Sequence, residues 1–300
     1  MISTAGLVGN GGDPMKRVLR WTGYALGFLC SLLILMVLGI YGVSEYRMTR
    51  TFEVSSPLIA PAALPKDPAV LAEGERLART RGCIGCHGNL DGAVFLDAPF
   101  LARLTAPNLR ESMEKYSLGE LDAIIRHGIY PDGRGTMAMP SSMLHFLSDE
   151  DLIAILAFIQ SVEHQGQALP PSRYRIGART LFALGHFQPQ PRMIRELPPM
   201  RTSQSENPSL SGEYLVRTTC TECHGDHLGG DELGSPSLVV AKAYSPEAFR
   251  HLMKEGVAIG DRELGLMASV SRNRFSHFTD EEIEAMHNYL RQTVIPLATD

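Results

Sequence analysis

Cysteine is scarce in this chain: five residues in 300, too few for a disulfide scaffold at this length. An excess of basic charge is also missing, since 28 Lys and Arg face 33 Asp and Glu for a formal net charge of −5, which argues against a nucleic-acid-binding surface. Long apolar runs are absent but for one, so the chain is not polytopic in a membrane. Strand-type alternation is sparse, and no nucleophilic triad, phosphate loop or dinucleotide fingerprint appears. What remains is 44% hydrophobic and 20% charged, a balance that excludes a disordered chain and suffices for one or two packed domains plus an extra element.

The single apolar run extends from Trp21 to Ser44 with no charged residue. It is long enough to cross the ~30 Å hydrocarbon layer as a helix, which takes about 20 residues. Trp21, Tyr24, Tyr41 and Tyr46 mark its ends as interfacial aromatics. Lys16, Arg17 and Arg20 precede it, against Asp13, so the N-terminus is expected inside and everything after about residue 47 outside the cytoplasmic membrane. A cleaved signal peptide is the alternative, but the run exceeds the usual 7–15 residue core and lacks a clean small-x-small site after it. Cys30 reads as a small lipid-facing side chain. Beyond residue 50 the chain holds 23 basic and 31 acidic residues, a net of −8.

The rest of the sequence says similar things twice. Gly-Glu-Arg-Leu at 74–77 leads into Cys83-Ile-Gly-Cys86-His87, and Gly-Glu-Tyr-Leu at 212–215 leads into Cys220-Thr-Glu-Cys223-His224. Pro107-Asn-Leu109 answers Pro236-Ser-Leu238. Helical patterns opening at Ser117 and Ser245 end at Gly128 and Gly256, which suit a C-terminal cap. Met139 and Met267 each lie 11 residues beyond those glycines. Capping boxes at Ser148–Asp151 and Thr279–Glu282 open a last helix in each copy. The expected organisation is a tail over 1–17, an anchor over 18–46, an extended Pro-rich stalk over 47–66, a domain over 67–164, a connector over 165–207 with a short helix near 176–184, and a second domain over 208–297.

Cys-x-x-Cys-His is the attachment signature of c-type haem: two cysteines entering a helix can each add to a vinyl group of one porphyrin, and the adjacent histidine then faces the iron. A single zinc site made by the four motif cysteines is the competing reading, but zinc needs no histidine after each pair and leaves the methionine repeat unexplained.

On these motifs the chain resembles membrane-anchored class I cytochromes c with two haem domains, over about two thirds of its length. The resemblance implies an all-α fold, an N-terminal transmembrane helix followed by two tandem cytochrome c-type domains, and two covalently bound haem c groups. It implies that Cys83, Cys86 and His87 hold the first and Cys220, Cys223 and His224 the second, with Met139 and Met267 as sixth iron ligands. Met137 and Met143 are rivals to Met139. It further implies that a proline carbonyl orients each proximal imidazole: Pro236 for His224 and, for His87, Pro107, which matches the repeat, in preference to Pro99, which matches the spacing. His127 and His251 could replace a methionine, although helix-end histidines more simply face terminal carbonyls.

A His/Met pair closes the iron and favours its reduced state, so the reading is outer-sphere electron transfer, with no small-molecule substrate at the iron and no catalytic residues. The expected partners are membrane lipid around the N-terminal helix and redox proteins: a periplasmic dehydrogenase or quinol-oxidising complex as donor, a terminal oxidase or reductase as acceptor. Alternatives are a di-haem peroxidase, which needs one open iron, and a haem subunit of an oxidase or alcohol dehydrogenase complex. The acidic exported portion suits partners with basic patches. Electron-transfer rates measured by stopped flow should therefore fall as salt is added; a flat response would remove the electrostatic argument.

Overall fold

A computed structural model describes residues 13–54, 58–59, 63–163, 169–198, 211–230 and 234–295. Most of the expected tail and parts of the expected stalk and connector lie outside them. Helix α1 runs over Pro14–Met48 and starts under an Asp13 cap, whose carboxylate accepts the Met15 N–H at 3.2 Å. Among the described residues it is the one helix long and apolar enough to cross a membrane, a test that a signal sequence also passes.

The first half comprises α2 (Pro68–Thr80), α3 (Cys83–Cys86), a hairpin of β1 (Ala93–Ala98) and β2 (Ala102–Ala106), α4 (Leu109–Lys115), α5 (Leu118–His127), α6 (Ser141–Leu144) and α7 (Asp149–Ser161). Asp67 caps α2 and Pro68 occupies its first turn, where the missing N–H costs nothing. α2 crosses α7 at Gly74, where a Cβ would come within 2.0 Å of the Ala154 carbonyl oxygen. The full capping box of α5, with Ser117 and Glu120 bonding reciprocally, lies at its start, and left-handed Gly128 ends it.

The fold is mostly helical, as the all-α expectation has it, and within it the hairpin is a local β element. Its tip joins Ala98 to Ala102, and β2 pairs antiparallel with β3 (Arg173–Tyr174). The strand signal is hidden because β1 alternates imperfectly, with a register irregularity between Val94 and Leu96.

β3 belongs to the expected connector, which is packed structure where it is described. The helix expected near 176–184 is α8 (Ile176–Leu184), closed by left-handed Gly185, and α9 (Gln190–Glu196) follows. α8 lies along the end of α1, and α9 packs on α6. The Gln190 side chain accepts the Ser142 N–H at 2.8 Å, tying α9 into the first half. The stalk is likewise no free spacer: Phe52 N–H donates to Gly133 O at 2.7 Å, Ile59 N–H donates to Asp122 Oδ2 at 2.9 Å, and Ile59 and Leu64 are buried against α5 and α7.

The second half repeats the plan with α10 (Gly212–Arg217), α11 (Thr221–His224), a 3-10 turn over Leu238–Ala243, α12 (Pro246–Glu255), a two-residue ribbon of β4 (Val257–Ala258) and β5 (Arg262–Glu263), α13 (Leu266–Asn273) and α14 (Asp280–Gln292). α10 crosses α14 at Gly212, where a Cβ would stand 2.1 Å from the Ala285 carbonyl oxygen. The Gly-Glu repeat seen in the sequence is thus a crossing point, used once per half.

The halves share one apolar cluster, in which Leu77, Met143 and Ile155 of the first join Tyr214, Leu215, Phe275 and Phe278 of the second. Polar contacts reinforce the seam. Arg76 makes two bonds to Glu282, at 2.8 and 2.9 Å. The Tyr214 hydroxyl donates to Asp151 Oδ2 at 2.5 Å and accepts the Ser148 N–H at 3.3 Å. The box expected at Ser148–Asp151 is therefore engaged by a tyrosine from the other half, although Ser148 still caps α7 by accepting the Asp151 N–H at 3.1 Å.

Because backbone carbonyls cannot move aside as side chains can, Gly74→Ala and Gly212→Ala should each cost about 1–3 kcal/mol of stability through overpacking. Denaturant unfolding of each variant checks this, and a loss near zero would show that the crossings can open without cost.

Candidate functional site

Each Cys-x-x-Cys-His segment forms a single helical turn at the C-terminal side of a long-range helix crossing. His87 N–H donates to Cys83 O at 2.9 Å and His224 N–H to Cys220 O at 3.0 Å, so both histidines are held at the end of their turn. In the first half left-handed Gly82 admits the turn, a residue the second half lacks. Among the described residues the four motif cysteines form no disulfide. Burial pushes the Cys83 thiol up to about 11 and the Cys220 thiol up to about 12.

The imidazoles are oriented in the same way. His87 Nδ1 lies 2.7 Å from Pro107 O, and His224 Nδ1 lies 2.8 Å from Pro236 O. A carbonyl can only accept, so Nδ1 carries the proton in both rings and Nε2 carries the lone pair. Of the two prolines open for His87, the geometry selects Pro107; Pro99 lies in the hairpin turn. Burial lowers the His87 pKa, and the Pro107 bond opposes that shift in part.

Two leucines that sequence reasoning passed over set up this pairing. Leu90 and Leu228 are buried with φ of 81° and 61°, a left-handed conformation uncommon for bulky residues. Their carbonyls accept the N–H of Leu109 and of Leu238, both at 2.8 Å. Those acceptor bonds fix the residue two positions after each proline and so bring the proline carbonyl against the ring. The signal was present in part, as the matched Pro-x-Leu triplets.

Met139 lies in the segment between α5 and α6, and Met267 on the first turn of α13. Both are half-buried and pack against the same apolar cluster as Cys83 and Cys220. Met143 is fully buried and lies 3.7 Å by its sulfur from Arg274 Nη2, facing the seam. Met253 and Met286 fill core positions. Of the other histidines, His145 Nδ1 meets the α5 carbonyl of Arg126 at 2.8 Å, the role expected of neighbouring His127. His287 is buried, stacked on Phe249 with ring centroids 4.6 Å apart. His227 and His251 are exposed.

One residue that no motif announces touches both segments. Arg274, after α13, donates through Nε to Thr80 O at 2.6 Å and through Nη1 to Glu222 Oε2 at 3.0 Å. Thr80 lies three residues before Cys83, and Glu222 lies inside the second motif. A Cβ on Gly82 would stand 3.0 Å from Arg274 Nη1, so the extra glycine of the first half also makes room for this guanidinium. Its positive charge is felt by Cys83, Cys86 and Cys220 alike. The groups in each half (two thiols for the vinyl groups of a porphyrin, and an imidazole with its Nδ1 proton engaged and a thioether on the same cluster for its iron) fit a covalently held haem.

Comparison with known proteins agrees with this geometry. The cytochrome c family matches residues 71–163, and the family described as cytochrome c oxidase, cbb3-type, subunit III, matches residues 207–290. The cytochrome c subunits of the quinone alcohol dehydrogenases of Gluconacetobacter polyoxogenes and Komagataeibacter europaeus are each 25% identical, over 82% of this chain and 61% of theirs. The cytochrome c subunit of gluconate 2-dehydrogenase from Pantoea cypripedii is 24% identical, over 77% of this chain and 62% of its own. The chain thus spans about three fifths of the length of these relatives. By both halves, then, the chain is a c-type cytochrome built from two cytochrome c-type domains in tandem, with covalently attached haem c as its cofactor.

Proposed function

We propose that the protein is a membrane-tethered electron-transfer subunit that holds two haem c groups and passes electrons from a periplasmic dehydrogenase towards a quinone-linked or terminal acceptor. In this reading α1 anchors the chain in the cytoplasmic membrane with its N-terminus inside, and both haem domains lie on the outer side. Bound haem supplies a one-electron couple at its iron. The chain's residues would do the rest: Cys83 and Cys86, and Cys220 and Cys223, would hold the porphyrins through thioether bonds, His87 and His224 would ligate through Nε2, and Met139 and Met267 would each offer a thioether sulfur to the iron.

The observation that carries the reading is Arg274, whose guanidinium reaches the approach to one attachment motif and the interior of the other. Electron-transfer rates fall steeply with distance, and one side chain bridging two attachment sites keeps them adjacent. A dehydrogenase is favoured as the donor over a quinol-oxidising complex because the relatives are named as dehydrogenase cytochrome subunits. The proposal of a fixed subunit is tested by purification in mild detergent, where a dehydrogenase should co-purify in stoichiometric amount; isolation of the chain alone would favour a free carrier. A di-haem peroxidase is the weaker reading, since a methionine stands at the matching place in both halves.

Optical spectra and a redox titration of the purified tethered protein should show two low-spin centres, each with the methionine-to-iron charge-transfer band. Met139→Ala and Met267→Ala should each remove one of the two bands and open one iron to cyanide, while Met137→Ala should leave both. A resting wild-type protein that binds cyanide would overturn the carrier assignment.

Arg274→Gln should lower both midpoint potentials, because a positive charge between the sites favours the reduced state of each. A shift confined to one haem would show that the charge serves only the nearer motif.

A further inference from the structure

Hairpin turns exposed to water are built from Gly, Asn, Asp and Ser, and this chain breaks that rule at the tip of β1 and β2. The turn from Ala98 through Pro99, Phe100 and Leu101 to Ala102 has no polar side chain, and Phe100 is 82% exposed. Exposure of a lone apolar residue is ordinary; an entirely apolar turn ending in an exposed phenylalanine is not.

The tip's position says what it faces. Gly177 N–H donates to Phe100 O at 2.9 Å and Arg175 N–H to Leu101 O at 3.0 Å, so the tip is bonded to the start of α8. α8 in turn lies along the last turns of α1. Arg179 stacks on the Tyr41 ring at 4.7 Å and bonds Ser44 Oγ at 3.1 Å and Glu45 Oε2 at 2.9 Å. Further along, Phe182 O accepts from Arg47 Nη1 at 2.9 Å. The two helices therefore run in the same direction, and the start of α8 points back down α1 towards the uncharged run that ends at Ser44. Ile176 precedes Arg179 by three residues, about 4.5 Å along the axis, which sets Ile176 and the bonded tip level with Tyr41 or slightly deeper.

We propose that the β1–β2 tip, together with Ile176, is a second membrane contact that seats Phe100 in the interfacial layer of the bilayer beside the anchor helix. This rests on the reading of α1 as an anchor. The charges behind the tip fit: Arg175 and Arg103 hold Asp97 at its base, at 2.9 and 2.8 Å, and Arg47 and Arg50 follow the apolar run, the residues that favour anionic headgroups. Two contacts instead of one fix the tilt of the first half on the membrane and hold its haem site at a set height.

The test uses the full haem-loaded chain with Cys30→Ser, in nanodiscs of phosphatidylcholine with a quarter phosphatidylglycerol. A bimane fluorophore is attached at Phe100→Cys or Ile176→Cys, at Leu33→Cys within the anchor, or at Glu284→Cys on α14 as a water-exposed reference; the haem spectrum confirms folding of each. Phe100 and Ile176 labels should lose most of their emission to lipids carrying a shallow nitroxide and little to aqueous iodide, with the reverse at Glu284. If Phe100 and Ile176 respond to iodide as Glu284 does while Leu33 is quenched by deep nitroxide lipid, the second contact is wrong and the anchor stands. If Leu33 itself responds to iodide, the anchor reading fails and takes the proposal with it. Protection from both quenchers at Phe100 would mean a protein partner covers the tip, and would also overturn it.

Discussion

Buried arginine is the constraint around which the two halves are arranged. A guanidinium cannot lose its proton inside a protein, and it has five N–H donors to satisfy in one plane. The seam holds Arg81, only 2% exposed, between the Tyr214 and Phe278 rings at 5.6 and 5.7 Å. Its Nη1 donates to Thr80 Oγ1 at 3.2 Å, and its charge is balanced by Asp151 at 3.7 Å, too long for a hydrogen bond, so electrostatics and ring faces supply the rest. Arg217 faces Phe146 at 5.6 Å, and Arg274 joins the two attachment motifs. Each charge draws on groups from both halves, so separating the halves would leave several of them without their partners.

This gives the duplicated chain an asymmetric purpose. Both halves carry the same devices: a helix crossing at glycine, a one-turn attachment segment, a left-handed leucine that aims a proline carbonyl, and a methionine beyond a helix-ending glycine. The residues that join the halves are not duplicated. Where the first half has Arg76 the second has Tyr214, and each reaches across to its opposite: Arg76 to Glu282, Tyr214 to Asp151. Different residues at this one position of the repeat thus give each half its own bond across the seam.

Much of this was legible in the sequence, because attachment chemistry demands residues at fixed spacing and helix ends demand particular caps. The Cys-x-x-Cys-His segments, Gly128, Gly256, Ser117, Thr279 and the helix over 176–184 were all readable that way. The repeat pointed to Pro107 over Pro99, but the loop path set by Leu90 that aims its carbonyl needed coordinates. Arg274 was not readable at all: its partners are 194 and 52 residues away along the chain, and nothing local distinguishes it from Arg272. The hairpin was hidden by its irregular register, and the packed connector by a composition rich in Pro, Gln and Arg that suggests a linker.

The pairing of β2 with β3 has a consequence for where the first half ends. Thr105 donates its backbone N–H to Ser172 Oγ at 2.9 Å and its hydroxyl to Pro170 O at 2.7 Å, beside the ladder formed by Arg173 and Tyr174. An edge strand left open is a template for pairing with another chain, and here Ser172 brings the cover from 67 positions downstream. A first half cut off where its last α-helix stops would expose that edge and lose the helix that braces it against α1. The packed structure of the first half thus reaches through α9, and the family boundary at residue 163 falls short of it.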